Sequence, residues 1–149
     1  MPRKNFKKEI IQSAINIVNE KGYEKLNMRA VANRTGIKAA SIYNHFGNKE
    51  EIIYHLILEG RLLLSKKIQM EIDKHEHSRD KILAYFDAFV NFGFSNKEFY
   101  KIMFMNSYPA KALEAVKQDI AREIEPGLKT LAALIKDYAD IKYEDAMIT

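Results

Sequence analysis

Between Gly22 and Gly47 the sequence holds two helical patterns of only about two turns each, divided at Gly36. A two-turn helix buries too little apolar surface to persist alone, so both must pack as one unit with the longer pattern before them. That longer helix is predicted from Phe6, where Ile10, Ala14, Ile17 and Val18 recur at three-to-four spacing. Gly22 ends it, because glycine takes the left-handed conformation after a last turn. Asn27 is placed to cap the second helix, which runs through Arg34 with Val31 and Ala32 inward. A third helix is expected from about Ala39 to Phe46.

The chain from Gly36 reads Gly-Ile-Lys-Ala-Ala-Ser-Ile-Tyr-Asn-His-Phe-Gly-Asn-Lys. Ile42 and Phe46 stand four apart and face the small core, which leaves Lys38, Ala39, Ser41, Asn44 and His45 to cover the rest of the surface. Helix, tight turn at Gly36, then helix is the arrangement of a helix-turn-helix, whose second helix fits the major groove of DNA. The small residues Ala39, Ala40 and Ser41 let the backbone approach base edges closely. Asn44 can offer a bidentate amide to adenine, Ser41 can bond a base or a phosphate, and Lys38 can reach guanine or phosphate. Lys49 begins the next helix, where its charge and the nearby backbone N–H groups favour a phosphate.

Charge agrees with this division of labour. Residues 1–50 hold ten Lys and Arg against four Glu, whereas residues 51–149 hold fourteen against sixteen acids. A basic front suggests an anionic partner, nucleic acid or a membrane surface, against the plain alternative of a solvated charged face.

Asn48 and Glu51 form a capping box for a fourth helix that runs without interruption to about Asp73, with Ile53, Ile57 and Leu64 inward. A polar turn, His75 to Ser78, follows. Ser78 is expected to cap a fifth helix carrying Ile82, Phe86, Phe89 and Gly93 on one face. Ser95 and Glu98 read as a further capping box, opening a helix with Tyr100, Met103 and Phe104. Helical patterns then run from Pro109 to about Ile124 and from Leu128 to Tyr138, with a break at Glu125–Gly127. No strand-period alternation of useful length occurs. With six Gly, three Pro, 47% hydrophobic and 30% charged residues, the expected fold class is all-α. The expected organisation is a three-helix unit over 1–47 and a helical bundle over 48–149.

Several chemistries are disfavoured. With no cysteine there is neither a disulfide framework nor a cysteine-ligated metal. His75 and His77 are two apart, so on a helix they point to different sides, and neither a metal nor a cofactor is expected. No Gly-rich phosphate loop or Gly-x-Ser-x-Gly turn occurs, and Asp137 and Asp140 carry no acid–base signature, so no enzyme is expected. No apolar run approaches the roughly 20 residues of a membrane span, and the expected compartment is the cytoplasm, with no membrane partner.

The segment Leu26–Ile53, LNMRAVANRTGIKAASIYNHFGNKEEII, resembles the DNA-binding segment of tetracycline-repressor-like (TetR/AcrR) transcriptional regulators. The likeness rests on Gly36-Ile37, on Ile42-Tyr43-Asn44-His45-Phe46 and on Lys49-Glu50-Glu51-Ile52. It covers residues 6–56 well and is weaker beyond. It implies a sequence-specific regulator, a repressor released from a palindromic operator on double-stranded DNA by a small apolar or aromatic effector, and working as a homodimer. Tyr43, His45 and Lys49 sit where members grip phosphates. Arg29, Lys38, Ala39, Ser41 and Asn44 sit where members contact bases or neighbouring phosphates, and Ala40 lies within the same small-residue stretch. Asn27 stands where members carry Thr or Ser. Many members have Ser at Lys38, and a lysine there, a poor cap, suggests direct DNA contact.

Residues 51–149 are rich in Phe, Tyr and Met. An aromatic core or a helix–helix interface would explain this, as would a partly hollow bundle whose soft walls hold an apolar effector. The resemblance favours the second reading, with Phe86, Phe89, Tyr100, Met103 and Phe104 as candidate ligand contacts. Members also dimerise through two long C-terminal helices. Here residues 141–149 resemble only the opening turns of the first, about 12–14 Å of helix against an interface of roughly 800 Å² per partner. The expectation is a C-terminally shortened form, or a variant pairing through another surface, with Leu131, Leu134, Ile135 and Met147 partly exposed in the first case. The alternative is a minimal member that pairs through Leu128–Tyr138 and the tail.

Overall fold

A computed structural model describes residues 6–105 and 127–140. The chain divides into two compact units, whose described parts are residues 6–60 with 97–105 and residues 61–96 with 127–140. Among the described residues every regular element is helical.

In the first unit α1 spans Phe6–Lys21 and buries Ile10, Ile11, Ala14, Ile17 and Val18, the stripe its spacing predicts. Gly22 ends it with φ 84°, a conformation that side chains with a Cβ rarely adopt, and a 3₁₀ turn over Tyr23–Lys25 follows. Asn27 caps α2 (Met28–Thr35), its Oδ1 accepting the N–H of Ala30 at 2.8 Å. Gly36 closes α2 in the left-handed region, at φ 70° and ψ 11°. The next helix, α3, is Ala39–Tyr43 and therefore shorter than the predicted Ala39–Phe46. The N–H groups of His45 and Phe46 both donate to the carbonyl of Ile42, each at 2.9 Å, so the last turn tightens and the chain leaves the helix at Asn44.

α4 spans Lys49–Ile72, and its start follows the capping logic with one change. Asn48 Oδ1 accepts the N–H of Glu51 at 2.9 Å, but the Glu51 carboxylate accepts the N–H of Gly47, at 2.8 Å, one residue earlier than the reciprocal bond of a capping box. The core is completed by Leu26, Val31, Ile42, Phe46, Ile52, Leu56 and Ile102, all with at most 1% exposure. Ile102 comes from the segment after α6 (Lys97–Tyr100), a π-helical turn over Lys101–Met105. The expected box at Ser95 and Glu98 does not open this helix. Ser95 is the last residue of α5, and the Glu98 carboxylate is used elsewhere.

In the second unit α4 buries Leu64, Ile68 and Ile72, while α5 (Ser78–Ser95) buries Ala84, Tyr85, Ala88 and Phe92. This corrects the expected stripe of Ile82, Phe86, Phe89 and Gly93, of which Phe86 is 50% exposed and the others half-buried. Apolar residues surround α5 on most sides, so their period alone does not choose the inward face. The predicted cap Ser78 lies inside the first turn instead. His77 takes the cap position without a side-chain bond, and the buried Ser78 hydroxyl donates to the Asp137 carboxylate on α7, residues 127–140. On α7, Leu131 and Leu134 are half-buried and Ile135 exposed. The predicted helix from Pro109 and the tail with Met147 lie outside the described residues.

Two stability predictions follow from the first unit. A Cβ at Gly60 would come within 2.6 Å of Met103 Sδ and 2.8 Å of Phe99 Cδ1, whereas one at Gly47 would meet nothing closer than 3.7 Å. Gly60→Ala is expected to cost about 1–3 kcal/mol in denaturant unfolding through overpacking, and Gly47→Ala to cost less. His55 packs edge-on against Phe46, ring centroids 5.5 Å apart. Burial first, then the nearby Lys7 charge, lowers its pKa below the ordinary histidine value, against the opposing pull of Glu51 and Glu59. The unfolded chain therefore binds the proton more readily, and the contribution present above the ordinary pKa is lost as pH falls through and below it. The melting temperature should drop between pH 7 and 5 by more in the wild type than in His55→Gln.

Candidate nucleic-acid interface

A surface that grips a polyanion needs exposed cations and donors on a rigid base, and the first unit supplies both. The base is Ile42 and Phe46, each with 0% exposure, which fix α3 and the turn after it. Around them Lys38, Ala39, Ala40, Tyr43, Asn44 and His45 are exposed, and Ser41 is half-buried. Nine of the ten residues singled out in the sequence, Asn27, Arg29, Lys38, Ala39, Ala40, Tyr43, Asn44, His45 and Lys49, keep at least partial access to solvent without entering the core, as does the tenth, Ser41.

Their local roles differ. Lys38 stands at the cap position of α3 with φ −60° and ψ 140°, and its carbonyl, not its side chain, accepts the N–H of Ser41 at 2.8 Å. A lysine cannot accept a capping bond, so its ammonium is not used in closing the helix. Tyr43, at 54% exposure, presents its ring and hydroxyl to solvent. Asn44 occupies the C-terminal cap rather than a helical position, a consequence of the early end of α3. The His45 ring lies 6.1 Å from that of Phe6, which brings the start of α1 beside the turn. Asn27 is committed to structure at both ends of its amide, since its Nδ2 also donates to the Lys25 carbonyl at 3.1 Å.

Charge placement separates holding from presenting. Arg34 is bound to Glu20 by two bonds of 2.6 Å, joining the ends of α1 and α2. The Arg34 guanidinium lowers the Glu20 pKa, and Glu20 in turn raises that of Arg34. Both are solvent-facing, so this pair fixes geometry more than it adds stability. Lys49 opens α4 with its ammonium 4.8 Å from the centroid of the Tyr23 ring. Sequence reasoning missed Tyr23. Its phenol is held above the ordinary tyrosine pKa by burial and by the charges of Glu50 and Glu24, so the ring stays neutral. Its backbone N–H donates to Glu98, at 3.2 Å, across 75 residues of sequence. No local pattern announces that bond.

The candidate ligand contacts fall in different units. Phe86 and Phe89 stand on α5 in one; Tyr100, Met103 and Phe104 stand in the other, where the Tyr100 and Phe104 rings are 5.0 Å apart and Met103 is buried against Gly60. Within the second unit a groove of about 740 Å³ runs between α4 and α5, lined by Leu63, Lys67, Glu71, Leu83, Ala84 and Phe92 among others, and by none of those five. Among the described residues no cluster of side chains suits a metal ion, and no helix is long and apolar enough to cross a membrane.

Residues 10–56 match the model of bacterial regulatory proteins of the tetR family. The HTH-type transcriptional activator FasR of Mycolicibacterium smegmatis is 22% identical over 83% of this chain and 56% of its own length. The negative transcriptional regulator IcaR of the biofilm operon icaADBC in Staphylococcus aureus is 31% identical over 57% of this chain and 46% of its own. The chain thus spans about half the length of the curated relatives it matches. Its fold is shared with the fatty acid degradation regulator FadR from Bacillus halodurans, with a TM-score of 0.69 at 16% identity, over 96% of this chain and 73% of that one. Residues 10–56, which carry the whole of the exposed face around Ile42 and Phe46, are thus similar to the tetR family of bacterial regulatory proteins.

Proposed function

We propose that this chain binds double-stranded DNA at a palindromic operator as a transcriptional repressor, in the form of a homodimer, and that a small apolar or aromatic effector releases it. The observation that carries the DNA reading is the exposed set Lys38, Tyr43, Asn44 and His45, with the half-buried Lys49, arranged over the fully buried pair Ile42 and Phe46, inside the segment that matches the family model. The repressor sign is supported by the likeness to a negative regulator at 31% identity. In this reading residues 1–47 read DNA and residues 48–149 sense the effector, with α4 following directly on the first segment. Tyr43, His45 and Lys49 hold phosphates. Lys38, Ser41 and Asn44 address base edges, with Ala39 and Ala40 allowing close approach, and Arg29 and Asn27 flank them.

Effector sensing is assigned to the aromatic residues Phe86, Phe89, Tyr100 and Phe104 with Met103, and the groove beside α5, which none of them lines, offers separate room for a ligand. Leu63, Leu83, Ala84 and Phe92 in its lining suit an apolar body, and Lys67 and Glu71, which also line it, suit a polar end. Release works through geometry. Half-sites on DNA repeat about 34–36 Å apart, so an effector that changes the separation of two paired units by a few ångströms prevents both from docking together.

Binding measured against labelled duplexes over a range of salt separates holding from reading. Lys49→Ala should weaken binding to all sequences and reduce the salt slope by about 0.9, the share of one phosphate. Tyr43→Phe should also weaken all sequences alike. Asn44→Ala should relax preference at particular base pairs by about 1–3 kcal/mol. Equal loss on every sequence for Asn44→Ala would remove it from base reading, and binding indifferent to salt would count against the DNA reading itself.

A further inference from the structure

Lys49 is a long side chain at the edge of the face, and a lysine free to rotate loses up to about 2 kcal/mol of rotamer entropy when a phosphate fixes it. Here it is already placed. Its ammonium lies 4.8 Å from the Tyr23 ring centroid. Tyr23 sits in a 3₁₀ turn entered through Gly22 at φ 84°, and its N–H donates to Glu98 Oε2 at 3.2 Å. Glu98 is fixed in turn. Lys101 Nζ donates to its other oxygen at 2.7 Å, and its neighbours in sequence and on the next turn, Phe99 and Ile102, are buried. Lys101 lowers the Glu98 pKa first, and the Tyr23 N–H assists. The turn is entered in a conformation that only glycine takes readily, so a side chain at Gly22 would be strained.

We infer that Tyr23 and Glu98 are positioning residues for Lys49: the ring holds the ammonium where it meets a DNA phosphate, and the Glu98 carboxylate anchors the turn that carries the ring. This rests on the reading of Lys49 as a phosphate contact given above. Neither residue touches DNA in this scheme; both act through Lys49. The bond from α6 makes the placement of a DNA contact depend on a residue 49 positions further along the chain. A cation over an aromatic face at an exposed site contributes about 0.5–1 kcal/mol, which is about a two- to fivefold effect on affinity.

The test is a double-mutant cycle on the full chain, read as dissociation constant and salt slope on a mixed-sequence duplex, with melting temperatures to confirm that each variant is folded. Tyr23→Leu should weaken binding about two- to fivefold when Lys49 is present and not at all in a Lys49→Ala background, whereas Tyr23→Phe, which keeps the ring, should bind as the wild type does. Glu98→Ala should repeat the loss through Lys49 alone. Glu98→Gln keeps an oxygen for the Tyr23 N–H and should retain affinity. Equal losses for Tyr23→Leu with and without Lys49, or no loss at all, overturn the positioning role while leaving DNA binding intact. A wild-type chain that fails to bind any duplex overturns the DNA reading on which this role rests. In that event the ring-current shift of the Lys49 methylene protons, expected to vanish in Tyr23→Leu, shows whether the failure lies in the DNA reading or in the ring contact.

Discussion

The insertion of Ile42 and Phe46 into the core is what the rest of the structure depends on. α3 is five residues long, below the length at which a helix persists by its own hydrogen bonds. Burying two large side chains completely contributes roughly 1.5–3 kcal/mol each, enough to hold such a segment that its backbone alone would not. Their inward placement also decides what faces outward. Once positions 42 and 46 are spent on the core, Lys38, Tyr43, Asn44 and His45 are left on the outer surface, and the early exit at Asn44 sets the turn that leads to Lys49.

Around that pair the unit is trimmed for rigidity. The left-handed Gly36 sets the angle between α2 and α3, and Asn27 and Asn48 close the starts of α2 and α4. Glu20 takes up the charge of Arg34, and the Phe46 ring is braced by His55 on one side and by the Lys7 ammonium, 5.3 Å from its centroid, on another. In the second unit the charges do something plainer. Lys67, Glu71 and Lys74 pair along one surface of α4 and its C-terminal turn, where such contacts add little and mainly keep the helix soluble.

What was legible in the sequence tracks how local the cause is. The spacing of Ile10, Ala14, Ile17 and Val18, the four-residue step from Ile42 to Phe46, and the caps at Asn27 and Asn48 are all decided within a turn or two, and all read correctly. The exposed set followed from the same step, because the inward pair defines the outward remainder. Reading failed where a polar group had a distant partner. Ser78 looks like a cap but donates to Asp137, 59 residues on, and Glu98 looks like half of a capping box but serves Tyr23 and Lys101. It also failed on α5, where apolar residues on nearly every side leave the choice of inward face to packing. Tyr23 was invisible for the first reason. Its importance comes from Lys49, 26 positions away, and from Glu98.

The central claim is that the face built on Ile42 and Phe46 recognises duplex DNA by sequence. Selection of bound duplexes from a random pool by the full chain, followed by sequencing over successive rounds, tests it most directly. The account predicts convergence on a shared motif whose two halves are related by dyad symmetry. Recovered duplexes no richer in any motif than the starting pool would contradict it.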